Sequence, residues 1–104
     1  MSERLNINQL VAEAISKYGE DNIVLLDVRT EDEYIEGHIP KSIHIALKDL
    51  DAIITEIPDT STNLLVYCRS GVRSGNAVSA LKLMGYVNAI NVGGIIDWHG
   101  DIES

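Results

Sequence analysis

The sequence predicts an α/β fold with a mostly parallel sheet and helices on both faces. Short apolar runs too brief for a helix, Ile23-Val24-Leu25-Leu26 and Leu64-Leu65-Val66-Tyr67, read as strands buried on both faces. Segments with apolar residues at helical spacing alternate with them, and the eight glycines and two prolines fall between patterned segments. Strands that alternate with helices are joined by right-handed crossovers into a parallel sheet, whose ligands sit at the carboxyl ends of the strands.

Along the chain, Ile7, Leu10, Val11, Ala14, Ile15 and Tyr18 share one helical face, with Asn6 or Asn8 as cap and Gly19 at the end. The strand at residues 23–26 follows, with Asp27 at its carboxyl end. Thr30-Glu31-Asp32-Glu33 matches a capping box and starts a short helix that stops at Gly37. His38-Ile39-Pro40 is a turn, and Ile43-His44-Ile45 alternates as a brief strand. Leu47, Leu50, Ile54 and Ile57 keep helical spacing until Pro58. After a polar turn at residues 59–63, the second buried strand runs straight into Cys68. Ala77, Ala80, Leu81 and Met84 then mark a helix from about Arg73 to Gly85. A last strand at residues 89–92 precedes Gly93-Gly94 and a helical turn around Trp98.

A chain of 104 residues with 45% hydrophobic and 23% charged residues suits one domain, residues 1–104, with its own core. Sixteen acidic against eight basic residues give a net charge of -8, a field that repels nucleic acid and anionic membranes. No apolar run approaches membrane-spanning length, and the N-terminus lacks a basic segment leading into an apolar stretch. The single cysteine cannot form an internal disulfide, so a cytoplasmic location is expected, with neither nucleic acid nor membrane as partner.

Chemistry concentrates in Cys68-Arg69-Ser70-Gly71-Val72-Arg73-Ser74-Gly75, a loop between a buried strand and a helix N-terminus. Gly71 can take positive backbone dihedrals that turn successive N–H groups inward, and the helix adds its positive end. A helix terminus contributes up to ~2 kcal/mol. At about 1.36 kcal/mol per pKa unit, that lowers a thiol by roughly one unit from about 8.5. Loop amides and arginines must supply the rest to reach the reactive range. No Cys-x-x-Cys pair and no Cys/His cluster exists for dithiol or metal chemistry, so neither a metal nor a cofactor is expected. His38, His44 and His99 cannot be placed beside Cys68 from sequence, which leaves a histidine-assisted hydrolase open but unsupported. A thiolate ringed by amides can instead attack the outer sulfur of an anionic donor such as thiosulfate, expel sulfite, and hold the resulting persulfide. With no second cysteine, that persulfide must leave to an external acceptor.

At these residues the chain resembles the rhodanese family of single-domain thiosulfate sulfurtransferases. The resemblance runs through Leu25-Leu26-Asp27-Val28-Arg29, Glu33-Tyr34, Gly37-His38-Ile39-Pro40, residues 66–74, Gly93-Gly94 and Trp98. It implies a rhodanese-like, five-stranded parallel sheet, a persulfide on Cys68, and an active loop of six residues, Cys68 to Arg73. It also implies thiosulfate or another persulfide as donor and cyanide or a thiol as acceptor, with a sulfur-relay protein as a further candidate partner. Related cysteine phosphatases carry His-Cys-x5-Arg. Here Tyr67 stands for the histidine and four residues separate Cys68 from Arg73, a ring tight for phosphate and suited to a sulfane sulfur. The chain departs from the family at Lys41-Ser42, where a small Gly-Ala pair is common.

Cys68 is therefore the candidate nucleophile, with Arg69, Ser70, Gly71, Val72, Arg73 and Ser74 as the substrate-binding loop. Arg73 is expected to face the anion, and Arg69 either the anion or the rim. Ser70 and Ser74 either hydrogen-bond the thiolate or simply suit a turn and a helix start. Asp27 and Arg29, with Glu33, are expected to form a buried ion-pair network that supports the strand end. His38, Tyr86 and Trp98 are expected in structural roles. Two other functions remain open: a non-turnover sulfur carrier or interaction module for a sulfur-trafficking partner, and a phosphatase or arsenate reductase.

Overall fold

The computed structural model describes residues 5–104. Residues 1–4, which bear on a targeting signal, lie outside the described residues. Strands β1 (Ile23–Asp27), β2 (Ile43–His44), β3 (Asn63–Cys68) and β4 (Ile90–Gly94) form a parallel sheet in the order β2-β1-β3-β4. Alternate side chains of β3 face opposite layers. Leu64, Val66 and Cys68 join the core formed with Leu50, Ile53, Ala77 and Leu81, while Leu65 and Tyr67 pack with Ile7, Val11, Ala14 and Val92. Helices α1 (Ile7–Tyr18) on one face and α3 (Ile53–Glu56) and α4 (Val72–Leu83) on the other cover the sheet, as expected.

The sheet has four strands, which corrects the expectation of five. Beyond the four, the one further strand pairing recorded among the described residues is an isolated antiparallel bridge, His38 with Glu103. It does not extend into a ladder, because Pro40 has no N–H to donate and Lys41, at φ 70°, turns the chain away.

Local signals were mostly obeyed. Asn6 caps α1, accepting from the Asn8 N–H at 3.0 Å while its own N–H donates to Gln9 Oε1 at 2.8 Å. Asn8, the other candidate, spans to the C-terminal segment instead: its Nδ2 donates to Asp97 O at 2.7 Å and its Oδ1 accepts from the His99 N–H. The Thr30–Glu33 capping box starts α2 (Glu31–Glu36). The helix expected from Leu47 is split. Residues Leu47–Ala52 wind as a 3-10 helix with a kink at Asp49, and α-helix resumes only at Ile53. Three residues per turn line up positions 47, 50 and 53. Ile53 therefore enters the core and Ile54, expected inward, is exposed.

Tyr67 and the unusual Ser42 explain each other. The phenol is fully buried, accepts from the Ile39 N–H at 3.2 Å and donates to Ser42 Oγ at 3.2 Å. Burial pushes its pKa upward, so it stays a neutral donor. A small apolar residue at 42 would leave that donor unpaired. Tyr67→Phe should thus lower stability by about 1–2 kcal/mol through the orphaned Ile39 N–H and Ser42 hydroxyl. Denaturant titration checks this, and an unchanged midpoint would contradict it.

Candidate active site

The carboxyl end of β3 delivers Cys68 into a turn that α4 closes. Gly71, at φ 103°, supplies the left-handed step, and its N–H donates to Cys68 Sγ at 3.0 Å. The Ser74 hydroxyl, buried on the first turn of α4, lies 3.4 Å from the same sulfur. Burial works to raise the thiol pKa. The Ser74 hydroxyl and the amides of Ser74, Gly71 and Ser70 work against it, and the net result is a thiol below its ordinary value. Such a site favours an anionic sulfur.

The structure sorts the expected loop residues into different tasks. Gly71 and Ser74 contact the sulfur, and Ser70 contributes its amide. Arg69 and Val72 are exposed at the rim, where the Arg69 carbonyl accepts from the Ile96 N–H at 3.2 Å. The Arg73 guanidinium is gripped by Glu33, with Nη1 donating to Oε1 at 2.7 Å and Nη2 to Oε2 at 3.0 Å. Arg73 also forms one wall of a cleft of about 340 Å³ lined by Val28, Arg29, Thr30, Ala46, Leu47 and Lys48.

Asp27 and Arg29 form a buried pair at the end of β1. Asp27 Oδ2 accepts from Arg29 Nη2 at 2.7 Å and Oδ1 from the Arg29 N–H at 2.9 Å. The same Nη2 donates to Gly37 O at 2.7 Å, so the pair ties the end of α2 to the strand. Glu33 does not join it, but connects α2 to Arg73 and thus to the cysteine loop. The Arg73 hydrogen bond is the main reason the Glu33 carboxyl is lowered to about 2. A carboxyl depressed on folding stabilises above its unfolded pKa, near 4.5, and loses that contribution as pH falls through about 2. For a partly exposed pair this is worth roughly 1 kcal/mol. Stability of the native protein should fall in that window more steeply than that of Glu33→Gln, as acid titration of the unfolding midpoint would show. Parallel curves would contradict the assignment.

Two residues matter here that the sequence did not single out in these roles. Gly94, the strand partner of Cys68, lies under the loop. A Cβ there would come within 2.2 Å of the Arg69 carbonyl oxygen and 2.7 Å of Ser70 Cα. Asn91 bonds both Ser74 and Gly71. The Gly93-Gly94 pair was visible as a motif, whereas a lone asparagine in a strand carries no signal.

A parallel sheet that presents one cysteine in an amide-lined strand-to-helix loop defines a class of anion-holding sites. Within that class the chain belongs to the Rhodanese-like domain family, whose model matches residues 10–101. It is 38% identical over 73 residues to the thiosulfate sulfurtransferase PspE of Escherichia coli, covering 69% of this chain and 70% of that one. It is 34% identical over 99 residues to a sulfurtransferase of Allochromatium vinosum, covering 90% and 92%. Among solved structures, a rhodanese with anions from E. coli superposes with a TM-score of 0.72 at 34% identity, over 77% of this chain and 95% of that one. These relatives support sulfur transfer as the general activity. No helix among the described residues is long and apolar enough to cross a membrane.

Proposed function

We propose that this protein moves sulfane sulfur from thiosulfate or a persulfide donor to a thiol or cyanide acceptor through a persulfide on Cys68. The carrying observation is a lone cysteine whose sulfur accepts from the Gly71 N–H at 3.0 Å and lies 3.4 Å from the Ser74 hydroxyl, at the mouth of a short loop. The Cys68 thiolate attacks the outer sulfur of thiosulfate. A new S–S bond forms as the bond to the sulfite sulfur breaks, and the electron pair leaves with sulfite. The persulfide anion keeps the single negative charge within reach of the same donors. An acceptor thiolate or cyanide then takes the terminal sulfur and returns Cys68 as thiolate, so no external oxidant or reductant is consumed.

Arg69 at the rim and Lys48 in the adjoining cleft offer positive charge to an incoming anion, in a protein that is otherwise strongly acidic. Arg73 acts through Glu33 to hold the loop. Asp27 and Arg29 support it from the strand end. The test is intact mass after incubation with thiosulfate. A gain of one sulfur atom, removable by reductant, is expected, followed by thiocyanate release when cyanide is added. No gain from thiosulfate or from a persulfide donor would overturn the reading.

A further inference from the structure

Beneath the loop, one proton faces two acceptors. The Ser74 hydroxyl lies 2.7 Å from Asn91 Oδ1 and 3.4 Å from Cys68 Sγ, and it has a single hydrogen. Two backbone groups of opposite polarity determine which way the Asn91 amide points. Its Nδ2 donates to Gly71 O at 3.0 Å, a group that can only accept, and its Oδ1 receives the Gly93 N–H at 3.0 Å, a group that can only donate. Oδ1 must therefore face Ser74. With a neutral thiol, Ser74 donates to Asn91 and offers its lone pair to the S–H. With an anionic sulfur, the S–H proton is gone to solvent. The Ser74 hydroxyl can then rotate to donate to sulfur, while Oδ1 keeps the Gly93 N–H.

We propose that Asn91 is a positioning residue for Cys68: its Oδ1 competes with the sulfur for the Ser74 proton, and its Nδ2, by donating to Gly71 O, keeps Oδ1 turned toward Ser74. Asn91 thereby sets how tightly the anionic sulfur is held. A thiolate held less tightly is more basic and more nucleophilic, so this competition tunes attack on the donor. The inference rests on the reading of Cys68 as the nucleophile.

The test is the pH profile of Cys68 alkylation by iodoacetamide, followed by mass, in the native protein, Asn91→Ala, Asn91→Asp, Ser74→Ala and Asn91→Ala/Ser74→Ala. Asn91→Ala frees the Ser74 proton for sulfur and should lower the midpoint by roughly half a unit, about a threefold gain in thiolate below it. Asn91→Asp, a stronger competitor bearing charge, should raise the midpoint. In the Ser74→Ala background, Asn91→Ala should leave it nearly unmoved. A merely structural anchor predicts a loosened cradle and a higher midpoint in Asn91→Ala, with or without Ser74. A rise or no change in Asn91→Ala, or an equal shift without Ser74, overturns the proposal; should Asn91→Ala fail to fold, Asn91→Asp is compared with Asn91→Asp/Ser74→Ala, and an equal rise in the two overturns it. A thiol that titrates this way but never takes up sulfur would overturn the transferase reading alone. A sulfur-loaded protein whose titration ignores Asn91 would overturn only the role given to Asn91.

Discussion

Cys68→Ser is expected to take up no sulfur and to transfer none, while keeping a melting temperature close to that of the native protein. The donors around Sγ hold the thiol below its ordinary value, but an alcohol starts so far above a thiol that the same donors leave it neutral. A hydroxyl is slightly smaller than a thiol and can still meet the Gly71 N–H, so the loop keeps its packing. The substitution also removes a titration. The folded thiol sits below its ordinary value, so the thiolate stabilises the native fold above that value and loses this contribution as pH falls through the lowered pKa. The stability of the native protein relative to Cys68→Ser should therefore rise as pH climbs through that window. Transfer by Cys68→Ser at the native rate would remove the nucleophile assignment. A pH-independent difference in stability would show that the loop does not favour the anion.

What could be read from the sequence was whatever depends on neighbours within a turn or a strand. Helix α1, the Thr30–Glu33 capping box and the placement of Cys68 at a strand end all follow from spacing over a few residues, and the structure contains each of them. The Glu33–Arg73 pair spans 40 residues, so the same glutamate was legible as a cap and illegible as a clamp. Ile53 and Ile54 exchanged places because 3-10 winding follows from the way Leu47 is tethered to Val28, a tertiary contact. The fifth strand was implied by family resemblance and not by any apolar run left over in the chain. Asn91 was invisible because its importance lies in what Ser74 and Gly71, 17 and 20 residues away, present to it.

Gly94→Ala should be the most damaging single methyl in the protein's active region. The backbone of Gly94, at φ -117°, is one any residue adopts, so the difficulty is space rather than conformation. The added Cβ meets the Arg69 carbonyl, which is main chain and cannot rotate aside, and that carbonyl already accepts from the Ile96 N–H. Relief requires the cysteine loop to lift off β4. Lifting it breaks the Ile96 bond and carries the Ser70 and Gly71 amides away from Sγ. Overpacking of this kind costs about 3 kcal/mol, a drop in Tm of roughly ten degrees or more for a domain of this size. The two readouts are linked: as the amides leave, Cys68 should titrate closer to an ordinary thiol and sulfur uptake should slow in step. A Gly94→Ala protein with native Tm and native alkylation profile would mean that the loop does not rest on β4. A protein destabilised but with an unchanged thiol would mean that the strand, and not the loop, absorbs the methyl group.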